Sequence, residues 1–506
     1  MDDQGDDEVP GFAWFLLLAA LLAALLRLYR LDGQSLWVDE IQTWRHVRPD
    51  AGLVFWRQIL DAIQGPLYPA VLWPVVRWQP DAFWMRLPAA AAGVLTVPVL
   101  GLFGARLFDQ RTGLLAALFL AVNPFHVWYS QEARGYSLLM LFVVMAGLYA
   151  LQLSRGKGNV GHVLGLGVCG ALAMAGNLSA AFFWLALGVA WLYSFLRGHR
   201  KGAGLWLLGL GAGVVLMSPW FLQASGIWEV GRILPGAATG EALRGDSTFS
   251  LLAVPYTVFS FFCGYSCGPS LAELHRLSGH AILAGYWPVL GAAALVMVFP
   301  LWRAFRSLRG EQWALLVWVA VPFVVLIVLA QRNIKPWNPR YLSAVLPWFL
   351  VLLAVGTVRM QGRRRAVSAL LLTGMMLWSL GNDFWNPRYA KEDVRAAAEF
   401  LTRSNPAGEP IVVPVVTSVF DFYYDGPGAL LDTYHVPALD GPEAAGQFMS
   451  TRMQGMDAAW IVCARCWEFD PEDFLPAVLS RAGTLLLEFK APGVKVYHWQ
   501  RRDAES

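Results

Sequence analysis

The chain has 506 residues, 57% of them hydrophobic and only 15% charged, with a mean hydropathy of +0.46. A soluble globule of this length would carry far more charge, so lipid must solvate much of the surface. The formal net charge is only +3, and no basic run or basic strip interleaved with aromatics marks a nucleic-acid groove.

The N-terminal tail is acidic (Asp2, Asp3, Asp6, Asp7, Glu8). The first apolar stretch, residues 12–28, lacks both a preceding basic region and a following small-residue cleavage site. That pattern is expected of a retained first span and not of a cleaved signal peptide. A bilayer core of roughly 30 Å takes about 20 apolar residues per helix. Such segments recur at about 11–29, 85–105, 113–130, 137–154, 160–176, 180–197, 203–221, 281–300, 312–330, 341–358 and 366–382, about eleven spans in all.

Lys and Arg of short loops accumulate on the cytoplasmic side. Arg106 with Arg111, Arg155 with Lys157, Arg197 with Arg200 and Lys201, Arg303 with Arg306 and Arg309, and Arg359 with Arg363, Arg364 and Arg365 fall in alternate loops. Those loops are expected to be cytoplasmic, with the N-terminus on the same side. Arg27 and Arg30, at the outer end of the first span, are the exception.

Three external segments stand out. Residues 30–84 include a proline-broken apolar piece, Gly65 to Trp78, expected to lie as juxtamembrane helix at the interface. Residues 222–280 include a second such piece, 251–263. The short loop 331–340 is dense in Arg, Lys, Pro and Trp. After about residue 382 the composition becomes that of a soluble domain. A helix at 394–402, strands at 410–413 and 459–463, a helix beginning at Asp470 and a hairpin over 484–499 are expected. The expected fold is thus a polytopic α-helical membrane protein, residues 1–382, with external juxtamembrane helices, followed by a small external α/β domain, residues 383–506.

Candidate chemistry gathers in the external segments. Asp39 and Glu40 stand just beyond the first span, where a carboxylate can serve as general base; a solvated juxtamembrane acid is an equal reading. Glu132 and Arg134, in Gln131-Glu132-Ala133-Arg134-Gly135-Tyr136, open onto the same compartment. Ionisable groups at a bundle rim point to function, the alternative being a structural ion pair. Lys335 and Arg340, near Arg332, suit a lipid-linked phosphate, although headgroup anchoring suits Arg332 and Lys335 as well. His46 and His275 lie in external segments, where a lone histidine is more often a surface residue. Cys463 and Cys466 form a C-x-x-C best read as a structural disulfide, and Cys263 and Cys267 also lie where oxidation is permitted. No four-ligand zinc pattern is present. Gly209, Gly211 and Gly213 read as helix-packing positions.

Leu36-Trp37-Val38-Asp39-Glu40 after the first span, Arg86-Leu87-Pro88 opening the next, Gln131-Glu132-Ala133-Arg134-Gly135-Tyr136, and Arg340-Tyr341-Leu342 before a later span together resemble the GT-C class of membrane glycosyltransferases. The resemblance is to bacterial relatives of dolichyl-phosphate-mannose protein mannosyltransferases and of aminoarabinose lipid A transferases, and it runs over nearly the whole chain. It implies an inverting transfer of a hexosyl or pentosyl unit from a polyprenyl-phosphate donor to a lipid, glycan or protein acceptor, on the outer face of a bacterial inner membrane. Asp39 then corresponds to the general base, supported by Glu40. Glu132 takes the second acidic position, where relatives often carry Asp. Arg134, Lys335 and Arg340 bind the carrier phosphate, and Tyr136 and Tyr341 orient donor or acceptor. Some members use a divalent metal and others none; no ligand set stands out here. A transporter or flippase for lipid-linked sugars, or an envelope assembly protein, is the alternative, but no internal repeat supports a transporter.

Overall fold

The structure, a computed structural model, describes residues 9–49, 59, 65–198, 202–224, 249–431, 441–465, 470 and 472–502. It divides into two compact units. One comprises residues 1–31, 43–268 and 279–382, and the other residues 32–42, 269–278 and 383–506.

The first unit is a helical bundle. Its helices are α1 (Phe12–Leu28), α2 (Val38–Val47, whose first residues belong to the second unit), α3 (Leu67–Trp78), α4 (Ala82–Leu107), α5 (Gln110–Ala121), α6 (Pro124–Ser130), α7 (Tyr136–Ser154), α8 (Val160–Gly176), α9 (Ala180–Leu196), α10 (Ala203–Ala224) and α11 (Ala253–Cys263). After α12 (Leu271–Arg276), which belongs to the second unit, come α13 (Gly279–Ser307), α14 (Ala314–Gln331), α15 (Leu346–Val358) and α16 (Gly362–Trp385). Among the described residues six helical segments are long and apolar enough to cross a bilayer, seven if α5 and α6 count as one bent span, and four shorter apolar helices accompany them. This is a multi-pass membrane protein. The twelve residues of α3 reach only about 18 Å, too short to span a core of roughly 30 Å.

Where the sequence suggested one span over 113–130, α5 and α6 meet at a 58° bend. Asn123 makes the break: its side chain accepts from the His126 amide at 2.9 Å and donates to the Phe261 carbonyl at 2.8 Å, and Pro124 follows at the first helical position. The exposed carbonyls at the end of α5 are met by Arg27, which is fully buried. Its guanidinium donates to the carbonyls of Ala121 at 2.9 Å and Leu120 at 3.0 Å, and to His126 Nδ1 at 2.7 Å. Because arginine can only donate, His126 is neutral and carries its proton on Nε2. Arg27 is therefore no loop charge, and of the two residues that stood against the basic-loop pattern the exposed Arg30 remains.

Aromatic residues fill the centre of the bundle. Trp348 stands with Trp318 at 4.7 Å, Phe103 at 4.8 Å and Phe183 at 5.4 Å between ring centroids. Small residues bring α8 and α10 together: a Cβ on Gly209 would meet Leu166 at 2.8 Å and one on Gly213 would meet the Gly167 carbonyl oxygen at 3.2 Å, whereas Gly211 faces open space and is not a packing position.

The second unit carries a five-stranded mixed sheet formed by β1 (Ile411–Val412), β2 (Leu430–Leu431), β3 (Ala458–Ala464), β4 (Gly483–Ala491) and β5 (Val494–Arg501), in the order β2-β1-β3-β5-β4. The two short strands pair in parallel with their neighbours, and β3, β5 and β4 run antiparallel. The hairpin turns at Gly493, whose φ of +64° suits glycine. Among the described residues α17 (Val394–Ser404), α18 (Thr417–Tyr423), α19 (Pro442–Arg452) and α20 (Phe474–Ala482) join α12 in this unit. Asp470 does not begin a helix as its sequence suggested. Its carboxylate instead accepts from the amides of Phe474 at 2.9 Å and Leu475 at 2.6 Å, capping α20 from outside.

Candidate active site

Within the helical bundle the predicted residues gather where α6 gives way to α7. Glu132, Arg134 and Tyr136 are all buried. The turn that carries them is tight, the Arg134 amide donating to the Glu132 carbonyl at 2.7 Å. Gly135 lets this turn press against the end of α8, since a Cβ there would stand 1.9 Å from the Gly176 carbonyl oxygen. Arg134 also donates through Nη1 to Thr43 Oγ1 at 3.2 Å.

Two tyrosines that the sequence did not single out complete the cluster. The Tyr129 and Tyr265 hydroxyls are 3.0 Å apart, and the Tyr129 and Tyr136 rings lie 4.8 Å between centroids. Glu132, Tyr136 and Arg340 all act electrostatically on this pair. Burial holds the Tyr265 phenol well above its usual range, so it stays protonated and can donate. Tyr129 lies three residues before Glu132, and Tyr265 lies inside Cys263-Gly264-Tyr265-Ser266-Cys267, a stretch noticed only for its cysteines. Those two cysteines are buried free thiols, while Cys463 is disulfide-bonded and Cys466 lies outside the described residues.

The loop after α14 supplies the cations. Asn338 caps the 3-10 turn Pro339–Val345 by accepting from the Arg340 amide at 3.1 Å, and Trp337 anchors the loop by donating to Thr257 Oγ1 at 3.0 Å. The Lys335 ammonium stands 4.3 Å, and the Arg340 guanidinium 5.5 Å, from the centre of the Tyr341 ring. Burial first, and Arg340 second, push the Lys335 ammonium down to about 7.

Asp39 and Glu40 occupy the first turn of α2 and belong to the second unit. Glu40 is fully buried and accepts from the Trp37 amide at 3.1 Å; Asp39 is half-buried. The segment is fastened within its unit. Ser35 donates to Asp393 at 2.9 Å, and the Leu36 amide donates to the Tyr423 hydroxyl at 2.7 Å. Lys391 and Arg465 lie 5.6 Å and 5.4 Å from the centre of the Trp37 ring. The C-terminal region is thus the scaffold of the first acidic motif, which its sequence did not announce. His46 lies in the last turn of α2, and the side chain of His275 is outside the described residues. No group of three or more His, Cys, Asp or Glu side chains among the described residues is placed to hold a metal ion.

The dolichyl-phosphate-mannose-protein mannosyltransferase family matches residues 64–222. No curated protein matches the chain. Among solved structures, ArnT from Cupriavidus metallidurans in the apo state is 14% identical, covers 97% of this chain and 98% of its own, and superposes with a TM-score of 0.61. The fold is that of a GT-C glycosyltransferase. The same ArnT bound to undecaprenyl phosphate superposes with a TM-score of 0.56 at 15% identity, with the same coverage of both chains. The GT-C resemblance carried by the sequence motifs therefore extends to the three-dimensional fold of nearly the whole chain.

Proposed function

We propose that this GT-C chain transfers one sugar, a hexosyl or pentosyl unit, from a polyprenyl-phosphate donor to a lipid, glycan or protein acceptor on the external face of the inner membrane, with inversion. The observation that carries this reading is the clustering of Lys335, Arg340 and Tyr341 on one loop, with Arg340 acting also on the buried tyrosine pair beside Glu132.

Asp39 takes the proton of the acceptor hydroxyl or amine as that atom attacks the anomeric carbon from the face opposite the phosphate. The bond from the anomeric carbon to the phosphate oxygen breaks, and its electron pair leaves on the polyprenyl phosphate. Arg134, Lys335 and Arg340 hold that phosphate and stabilise the charge developing on it, an effect largest in a site shielded from water. Glu40 holds the turn that presents Asp39, Glu132 serves as the second acid of the site, and Tyr136 and Tyr341 orient donor and acceptor. The N-terminus faces the cytoplasm and the C-terminal domain the periplasm, as the alternation of basic loops implies. A flippase is disfavoured because the ionisable residues gather at helix ends and not along a mid-bundle path.

The test is a donor comparison. Supplied with an envelope extract as the source of acceptor, the purified chain should release polyprenyl phosphate from a synthetic polyprenyl-phosphate sugar as the sugar passes to the acceptor, and leave nucleotide sugars untouched. Translocation of the lipid-linked sugar across vesicles without any release would sink the proposal.

A further inference from the structure

Helix α2 starts at Val38, and Trp37 immediately precedes it. The Trp37 carbonyl accepts from the amides of Glu40 at 2.9 Å and Ile41 at 3.0 Å, and its own amide donates to the Glu40 carboxylate at 3.1 Å. Trp37 therefore closes the turn that carries Asp39, and a shift of its ring re-aims that carboxylate. The first turn of a helix has fewer ladder bonds than its interior, so contacts from outside the helix must fix it. Two cations of the same unit meet the ring, the Lys391 ammonium at 5.6 Å and the Arg465 guanidinium at 5.4 Å from its centre.

Arg465 reaches the ring from a strained backbone. It follows β3 with a φ of +53°, a left-handed conformation that residues other than glycine avoid. Such a residue persists where its surroundings over-determine it, and functional sites are where such residues gather. Here those surroundings can be named. Cys463, just before it, is disulfide-bonded. The Arg465 side chain is only 13% exposed, and its Nε lies 4.0 Å from the Glu392 carboxylate. Glu392 is in turn pressed by the β4–β5 hairpin: a Cβ on Gly493 would stand 2.8 Å from Glu392 Cγ, and the adjacent Asp393 amide donates to the Pro492 carbonyl at 2.9 Å. A path of contacts thus runs from the hairpin through Glu392 and Arg465 to Trp37 and the Asp39 turn. Arginine suits the middle of this path, because a planar guanidinium can lie against an indole while meeting a carboxylate at its edge.

We propose that Arg465 is a positioning residue for sugar transfer: its guanidinium holds the Trp37 ring and, through it, the aim of Asp39. This rests on the reading of Asp39 as general base. The test measures polyprenyl phosphate release by the full-length chain, with a synthetic polyprenyl-phosphate sugar as donor and an envelope extract as the source of acceptor. Arg465→Gln should lower kcat by about ten- to a hundredfold, the scale of a misplaced catalytic group, and leave the donor KM unchanged. Arg465→Lys, which keeps a cation against the ring, should recover most of the rate. In a Trp37→Leu background the same Arg465→Gln change should cost less than about twofold, because the two residues act as one unit. Arg465→Gly relieves the left-handed backbone, so it should unfold no earlier than the parent and still lose rate as Arg465→Gln does. An undiminished kcat in a folded Arg465→Gln or Arg465→Gly chain would overturn the proposal. So would a raised donor KM at unchanged kcat, or an equal loss with and without the Trp37 ring. If Asp39→Asn is inactive while Arg465→Gln works at the parent's rate, the positioning role alone is wrong; if Asp39→Asn is fully active, the general-base reading falls and this role with it.

Discussion

Burial holds the Lys335 ammonium down at about 7, far below a free lysine. In the unfolded chain this group keeps its proton to about pH 10.4. Between those two values the unfolded state binds more protons, so the ligand-free protein should gain stability as pH rises from about 7 towards 10. Lys335→Met should flatten that slope in a thermal-unfolding series. Donor binding should behave in the opposite way. A phosphate needs the protonated amine, so affinity for the polyprenyl-phosphate sugar should fall as pH rises from 7 to 9 in the parent chain. Lys335→Arg, charged throughout, should abolish the fall. A pH-independent donor affinity in the parent chain would show that Lys335 does not contact the phosphate. The sequence made Lys335, Arg340 and Glu132 visible because charge is conspicuous beside apolar spans. Tyr129 and Tyr265 were not visible, since a tyrosine in an aromatic-rich membrane protein has no signature until the fold brings its hydroxyl to a partner.

At the scale of elements, the break between α5 and α6 shows how an apparently uninterrupted apolar segment can bend. Asn123-Pro124 is a cap followed by the residue favoured at a helix start, a signal that the apolar run around it concealed. What the sequence could not supply is the partner of the exposed carbonyls. Arg27 lies 93 and 94 residues from Leu120 and Ala121, whose carbonyls it meets. Removing it takes the guanidinium donor from the Ala121 carbonyl, while the Leu120 carbonyl keeps the Asn123 amide at 3.4 Å. Arg27→Met should therefore destabilise the purified protein by at least about 1–3 kcal/mol, the cost of one buried acceptor left unsatisfied. An unfolding midpoint equal to that of the parent would show that the guanidinium is not needed to hold the bend. Likewise, the Asp39 motif reads as a short loop after a span. Its fastening to Asp393 and Tyr423 links residues more than 350 positions apart, and nothing local encodes such a contact.

At the scale of the molecule, hydropathy located the helices well because a span must satisfy its own backbone and bury an apolar surface in lipid. Each of the eleven expected segments falls on a helix or on the bent pair, although among the described residues only six, or seven with the bent pair, are long and apolar enough to cross a bilayer. Strand order in the C-terminal sheet was not legible, because a crossover between short strands leaves no periodic trace. The alternation of basic loops makes a directional claim that can be checked. In spheroplasts, externally added protease should remove the C-terminal region and leave the loop around Arg363, Arg364 and Arg365 intact; protection of the C-terminal region would invert the topology.

The most direct measurement is sugar transfer by Asp39→Asn. The variant should reach the membrane in normal amounts, unfold at the parent's temperature and still bind the polyprenyl-phosphate sugar. Its rate of polyprenyl phosphate release in the presence of acceptor should nevertheless fall by about 10²–10⁴-fold, the contribution of a general base. Undiminished release by a folded Asp39→Asn protein would contradict the account.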